Sequence, residues 1–469
     1  MVSAVREREG VGPGDRSDPP RPAATRVDRA LRLWAPDGEP FGRHLLHAGV
    51  LLLLAVTAMS GPVKQMLPGL PVDLTLLATV LSFGAGIGYA VLSGRWPSSR
   101  QMLLLALLLL ILLAGASTVV ATEFGQLKVE RVFTVTFVAA VAAALPIGNQ
   151  RDVVRFLWWL VGVSLVMAVW IAVTGQNQYG AGGRLTTVEG STIPFGRASG
   201  YVIVIMLAWL LTADRLPIPK IIGAGAAIGI AVWTMIAIAS RGPIQAVAFA
   251  IAAMLAIQAA SISTRVVWRA GVAFAALAAA LWGLWETIPV RSRERVTEVS
   301  GGSSADARAY AWNVTWDAME FSPIGTGWGS FARVREADGL TYPHNLFLEI
   351  WFEAGIIGLV AILAIVFITI GHQLRLFAID RTAATMGIGA AVYWLASAMV
   401  SGDVNDNKAM WMVLIVLAAS SAPALARQRV TEQAVESTVM GTDTASLEHS
   451  APEGSASAGT AEEPATQPV

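Results

Sequence analysis

The residues best suited to chemistry lie late in the chain. Tyr342, Pro343, His344 and Asn345 open a run that reaches Gly355, with Glu349 and Glu353 inside it. An imidazole titrates near neutral pH, so a histidine at a membrane–water boundary is suited to accept a proton from a substrate hydroxyl. A carboxylate in an apolar span is expensive and by default marks function. Glu353 lies nine residues beyond His344, inside the apolar stretch 346–371, with Glu349 one turn above it on the same face. Such a carboxylate is expected to pair with an arginine or to orient the imidazole. A plainer reading stands beside this one. Asn is a favoured N-cap, and the His344–Asn345 pair sits where a helix should begin.

Composition determines what must hold these residues. The 469-residue chain is 55% hydrophobic and only 14% charged, with mean hydropathy +0.59. Soluble domains carry roughly a quarter charged residues, so the expectation is an all-α polytopic membrane protein. Net charge is zero and the basic residues are spread out, which argues against a nucleic-acid partner. The lack of cysteine excludes disulfides and thiolate metal sites. Five scattered histidines give no metal-ligand spacing, so neither metal nor cofactor is expected.

A span needs about 20 apolar residues. Twelve stretches qualify: about 44–60, 70–92, 101–121, 128–146, 153–173, 197–213, 219–239, 243–260, 266–285, 346–371, 382–402 and 408–426. With the N-terminus inside, the short inner connectors carry Arg95/Arg100, Arg151/Arg155, Arg215/Lys220, Arg265/Arg269 and Arg375/Arg381, as the positive-inside rule asks. The organisation expected is a disordered cytoplasmic arm 1–43, nine helices over 44–285, a large extracytoplasmic loop 286–345, three helices over 346–426 and a disordered cytoplasmic tail 427–469. Both termini are then cytoplasmic, and His344 is the one histidine outside.

This topology leaves Arg184, Arg197 and Arg241 in outer connectors, where arginine is disfavoured. Snorkelling to headgroups is their plain explanation. It fits Arg241 poorly, because Ser240-Arg241-Gly242-Pro243 forms a tight turn between two apolar helices. In the long loop, Ser303 and Asp306 signal a helix start, and Ala309, Trp312, Trp316 and Met319 recur at helical spacing. The spacing predicts a helix over about 305–320, its aromatic stripe packed in the core or at an interface rather than stacking a ligand, and Arg308 one turn before Trp312. Pro323 ends it, and Gly325, Gly327 and Gly329 allow tight turning.

Together these pieces resemble the O-antigen ligase and polymerase family of bacterial envelope glycosyltransferases. The resemblance rests on Pro343-His344-Asn345-Leu346-Phe347-Leu348 with Glu353, Gly355, Gly358 and Leu359; on Ser240-Arg241-Gly242; on Arg308 with Trp312; and on Pro323, Gly325, Gly327, Gly329 and Phe331, in this order over roughly 170–371. It implies a GT-C-like fold in the cytoplasmic membrane with its site on the outer face. It also implies metal-independent, inverting transfer of a glycan from a polyprenyl diphosphate such as undecaprenyl diphosphate to a hydroxyl of a glycan or lipid. By the same resemblance His344 is the base or orienting acceptor. Arg308, Arg241 and Arg184 oppose the charge of the departing diphosphate, with Arg197 competing with Arg184 for the first place. Tyr342, Asn345 and Trp312 are placed to contact substrate, and Glu353 to hold His344 or an arginine. Partners implied are the lipid-linked donor, the acceptor, membrane lipids and other envelope-synthesis proteins. A protein O-glycosyltransferase shares these motifs. From other classes, an exporter of an envelope precursor or a non-catalytic partner in a synthesis complex remain the alternatives.

Overall fold

The computed structural model describes residues 41–67, 69, 72–118, 123–175, 185, 192–213, 216–259, 268, 271, 282–283, 285–288, 290–297, 303–334 and 340–419. The chain divides into two units, 1–49 and 50–469. Of the first, residues 41–49 are described and form the opening of a helix; all the other described residues belong to the second.

Every element of regular structure among the described residues is helical. In chain order these are α1 (Phe41–Ala58), α2 (Ser60–Met66), α3 (Leu74–Ser93), α4 (Ser99–Ala116) and α5 (Glu123–Arg131). A π-helical stretch, Val132–Phe137, carries α5 without interruption into α6 (Val138–Ala144). Then come α7 (Gln150–Thr174), α8 (Ile193–Thr212), α9 (Ile218–Ala237), α10 (Arg241–Gln258), α11 (Val290–Thr297), α12 (Ser303–Asp317), α13 (Leu346–Phe377), α14 (Arg381–Ala398) and α15 (Lys408–Leu417). Side chains written in the sequence start several of them. Ser98 and Gln101 form a reciprocal capping box on α4, and Asn149 and Asn345 accept the first amides of α7 and α13.

Seven helices (α3, α4, α7, α8, α9, α10 and α13) are long and apolar enough to cross a membrane, and α1 with α2 make an eighth if the bent pair is one span. This is a multi-pass membrane protein. The helical stretch 123–144, α14 and α15 lie where spans 128–146, 382–402 and 408–426 were expected, but they are not among these candidate spans, α15 being a shorter apolar helix. The expected span 266–285 lies almost wholly outside the described residues.

The interior is built around α8, which packs on α7, α9, α10 and α14, while α13 runs against α4 and α14. Small residues permit close approach, as in lipid-embedded bundles generally. A Cβ on Gly200 would collide with the Tyr393 ring, and one on Gly196 would meet Ser240 and Pro243.

The feature that matters most for the site is a break in α13. Gly355 has φ 72° and ψ −167°, so the helix stops and restarts there. A helix broken inside the apolar layer must satisfy its freed backbone groups from within the protein. The glycine loop does this from both sides. Thr326 and Gly327 amides donate to the Phe352 and Glu353 carbonyls at 3.0 and 2.9 Å, and the Ile356 and Ile357 amides donate to the Ser322 and Pro323 carbonyls, both at 3.2 Å. The loop is pinned in turn by Trp328, wholly buried, whose Nε1 donates to the Leu112 carbonyl at 2.9 Å and whose amide donates to the Gly115 carbonyl at 2.8 Å at the end of α4.

Candidate active site

Asn345 is the N-cap of α13: its Oδ1 accepts from the Phe347 and Leu348 amides at 3.1 and 3.2 Å. Capping therefore accounts for Asn345 but not for His344. His344 itself lies in the left-handed region, φ 56°, which non-glycine residues adopt rarely and which clusters at functional sites. Its ring is half-buried, 4.4 Å centroid to centroid from Tyr342. Burial lowers the imidazole's proton affinity below the usual histidine value, and the Arg308 guanidinium lowers it further. The result is a neutral histidine at neutral pH, the form that can accept a proton.

Tyr342 links this histidine to a cavity of about 360 Å³. Lys64, Arg131, Arg197 and Lys408 bring cations to its wall, and Asp73 and Asp406 bring carboxyl groups there with Tyr342. These residues come from the connectors and helix ends that the sequence places on the outer side. Burial pushes the Tyr342 phenol well above its ordinary range, and the charges of Asp406, Asp403 and Glu349 add to this, so it stays protonated as a hydrogen-bond donor.

The cavity is made by tertiary packing. Arg197, only 6% exposed near the start of α8, donates to the Ser397 and Ser401 carbonyls at 3.0 and 2.5 Å, and the Tyr393 hydroxyl donates to the Arg197 carbonyl at 2.6 Å. Arg197 thus closes the C-terminal end of α14 while lining the cavity. Arg241 is half-buried in the first turn of α10, next to the contact of Gly196 with Ser240 and Pro243 that joins α8 to α10. Arg184 lies outside the described residues.

Asp406 closes the 401–407 segment of the wall. Burial and the neighbouring Asp403 push its carboxyl up to about 6, against the attraction of Arg197. A carboxyl raised in the folded state binds its proton more tightly there than in the unfolded chain. Stability then rises as pH falls from about 6 towards the ordinary value of 3.8. Asp406→Asn is expected to raise the melting temperature at pH 7 and flatten its pH dependence between those values. A melt that keeps the wild-type slope there would contradict this assignment.

One sequence expectation is corrected here and a second is sharpened. Glu353, wholly buried, pairs with Lys128 of α5 rather than with His344 or an arginine. Lys128 also pairs with Glu349 at 2.6 Å, and its ammonium sits 5.2 Å from the centre of a Trp328 ring. Little in the sequence warned of this, because Lys128 lies in a polar stretch with Glu130 and Arg131 close behind it, at the edge of the expected span 128–146. The second point concerns α12. It covers Ser303–Asp317, and its buried side is Ala311, Val314 and Thr315, with Val314 against Phe331 and Phe352. Trp312 is half-buried and Trp316 is exposed, resting edge-on against Trp351 with centroids 5.5 Å apart. Of the stripe, Met319 packs beside the Val314 cluster and Trp316 meets α13, while Ala309 is exposed.

Residues 226–363 match the family model described as O-antigen ligase. That segment contains Arg241, Arg308, Trp312, Tyr342, His344, Asn345 and Glu353, while Lys128 and Arg197 lie outside it. A search of curated proteins finds no match.

Proposed function

We propose that this protein, whose residues 226–363 match the family model described as O-antigen ligase, is a glycosyltransferase of the outer face of the cytoplasmic membrane, with both termini inside. It moves a glycan from a polyprenyl diphosphate to a hydroxyl on a glycan or lipid acceptor. The observation that carries this reading is His344, held neutral, strained and half-buried beside Tyr342 at the edge of a cation-lined cavity.

In the step proposed, the acceptor oxygen attacks the anomeric carbon as the bond from that carbon to the diphosphate oxygen breaks, with inversion. The hydroxyl proton passes to His344, and the diphosphate leaves with the bonding pair. Guanidinium forks are suited to the charge that develops on the leaving group. Arg308, which acts electrostatically on His344, and Arg197, in the cavity wall, are the candidates of this kind best supported by position, with Arg241 beside Arg197's helix. Arg184 keeps the role implied for it by resemblance. Tyr342 would contact sugar, with Trp312 on α12; Asn345, whose Oδ1 caps α13, would offer its Nδ2. Glu353 takes no direct part in this step. A full set of twelve spans in a GT-C-like arrangement belongs to this reading.

A ligase, a polymerase and a protein O-glycosyltransferase differ in acceptor, and any of the three fits this site. An exporter fits less well. Its broken helices would expose backbone to a central pathway, whereas the break at Gly355 is closed by loop 322–327.

The test is transfer in reconstituted vesicles from a lipid-diphosphate-linked glycan. Wild-type protein should form product, and Arg308→Ala should lose about 10²–10³-fold in kcat, the range for removing one preorganised charge-stabilising donor. Product formed at the wild-type rate by Arg308→Ala would remove the arginine from the mechanism. No product from wild type across a panel of donors would reject the transferase reading.

A further inference from the structure

Lys128 is a buried cation that the proposed transfer step does not use. It is 2% exposed, and the two carboxylates it meets are 0% exposed. Glu349 Oε1, 2.6 Å from its ammonium, also accepts the amide of Val404 at 3.3 Å. Val404 belongs to the segment that lines the cavity with Gly402, Asn405 and Asp406. Glu353, the second partner, accepts the amide of Phe331 at 3.4 Å through its Oε1. Phe331 follows the glycine loop that closes the break at Gly355. The same ammonium lies against Trp328, which bonds to the end of α4.

One side chain from α5 therefore ties together three parts of the site. These are the first two turns of α13, which begin directly after His344 and Asn345; the cavity segment at 403–406; and the glycine loop. A buried ion cluster is a weak device for stability, since desolvation offsets much of the attraction, and well-packed neutral residues often serve as well. What it gives is direction: an ammonium between two carboxylates sets both rotation and depth of the helix that bears them. Thr136, just beyond on the same continuous helix, contacts Asn405 at 3.0 Å, so α5 and its π-helical extension meet the cavity segment twice. π-helical turns recur at functional sites.

We propose that Lys128 is a positioning residue for the His344 centre. Through Glu349 and Glu353 it holds the start of α13 in register with the cavity wall, so that His344 and Tyr342 face a substrate bound beside Arg197. This rests on the transferase reading of the site.

The test uses full-length protein in vesicles and two variants. Lys128→Arg keeps the charge but changes its reach. The triple variant Lys128→Met, Glu349→Gln, Glu353→Gln removes all three charges together, leaving no orphaned ion. Donor KM, kcat per folded molecule and melting temperature are measured for each. Both are expected to fold, with KM within about 3-fold of wild type and kcat lower by about 100-fold, the size of effect that small misplacement of a reacting group produces. Wild-type kcat in either folded variant overturns the proposal. So does a rise in KM with kcat unchanged, and so does loss of folded protein in both, which would make the cluster a stability element. If one variant fails to fold, the other decides. Wild-type protein run alongside separates the two questions: no transfer by wild type rejects the transferase reading and this inference with it, whereas a change confined to the variants speaks to Lys128 alone.

Discussion

His344→Ala is expected to lower kcat for glycan transfer by about 10²–10⁴-fold, the usual contribution of a positioned general base. The protein should still fold, because the ring is half-buried and the helix behind it is capped by Asn345 rather than by the histidine. Backbone strain needs its own control, since residue 344 has φ 56°. Asparagine tolerates that conformation better than alanine, so His344→Asn keeps the turn and removes only the base. Both variants should be inactive if the imidazole is the base. Activity recovered in His344→Asn would assign the effect to backbone shape. The pH profile gives a second reading. The neutral form is active, and burial followed by the Arg308 charge holds its titration below the ordinary 6.5. Wild-type kcat/KM should therefore persist to lower pH than a free histidine would allow. In Arg308→Ala the residual rate should show its acid limb moved upward, because the second of those two causes is gone. A limb that stays put or moves down would detach Arg308 from His344.

Gly355→Ala is expected to destabilise the folded protein by about 3 kcal/mol or more, from two costs that add. A left-handed conformation costs a non-glycine residue about 1–3 kcal/mol. Overpacking a tight contact commonly costs about 1–3 kcal/mol more. The contact here is backbone on backbone: a Cβ at 355 would fall 2.5 Å from the Gly325 nitrogen and the Pro323 carbonyl oxygen. No rotamer change relieves it, and moving the loop would sacrifice the four hydrogen bonds that close the break. Thermal melting in detergent and protease sensitivity at the loop should both report the loss. Gly371→Ala on the same helix, where a Cβ meets nothing within 4 Å, is the comparison and should be near neutral or slightly stabilising. Equal melting temperatures for the two variants would mean that the break is not held by the loop.

Much of the scaffold was legible in the sequence, because in lipid the backbone must satisfy itself and long apolar runs have little choice but helix. The stretches 70–92, 153–173 and 219–239 became Leu74–Ser93, Gln150–Thr174 and Ile218–Ala237. Local signals held equally well. Asn345 caps α13, and a helix forms over most of the expected 305–320, though it stops at Asp317 and Pro323 lies six residues beyond, because such information lies within a few residues of chain. Which positions of α12 are most deeply buried was less legible. At a membrane surface aromatic residues need not face inward, so spacing alone did not separate Trp316, exposed, from Val314, buried.

The sequence by itself thus determined a helical membrane protein with His344 directly before the cap of α13. Tertiary structure alone decided what surrounds it. Glu353 meets Lys128 across 225 positions of chain, Arg197 meets Ser397 across 200, and Tyr342 reaches a cavity whose wall is drawn from connectors and helices between residues 58 and 409. A charge in an apolar run announces that it needs a partner, since leaving it alone is costly. Which partner it finds depends on helix order, rotation and depth, and those follow from the packing of side chains far apart in the chain.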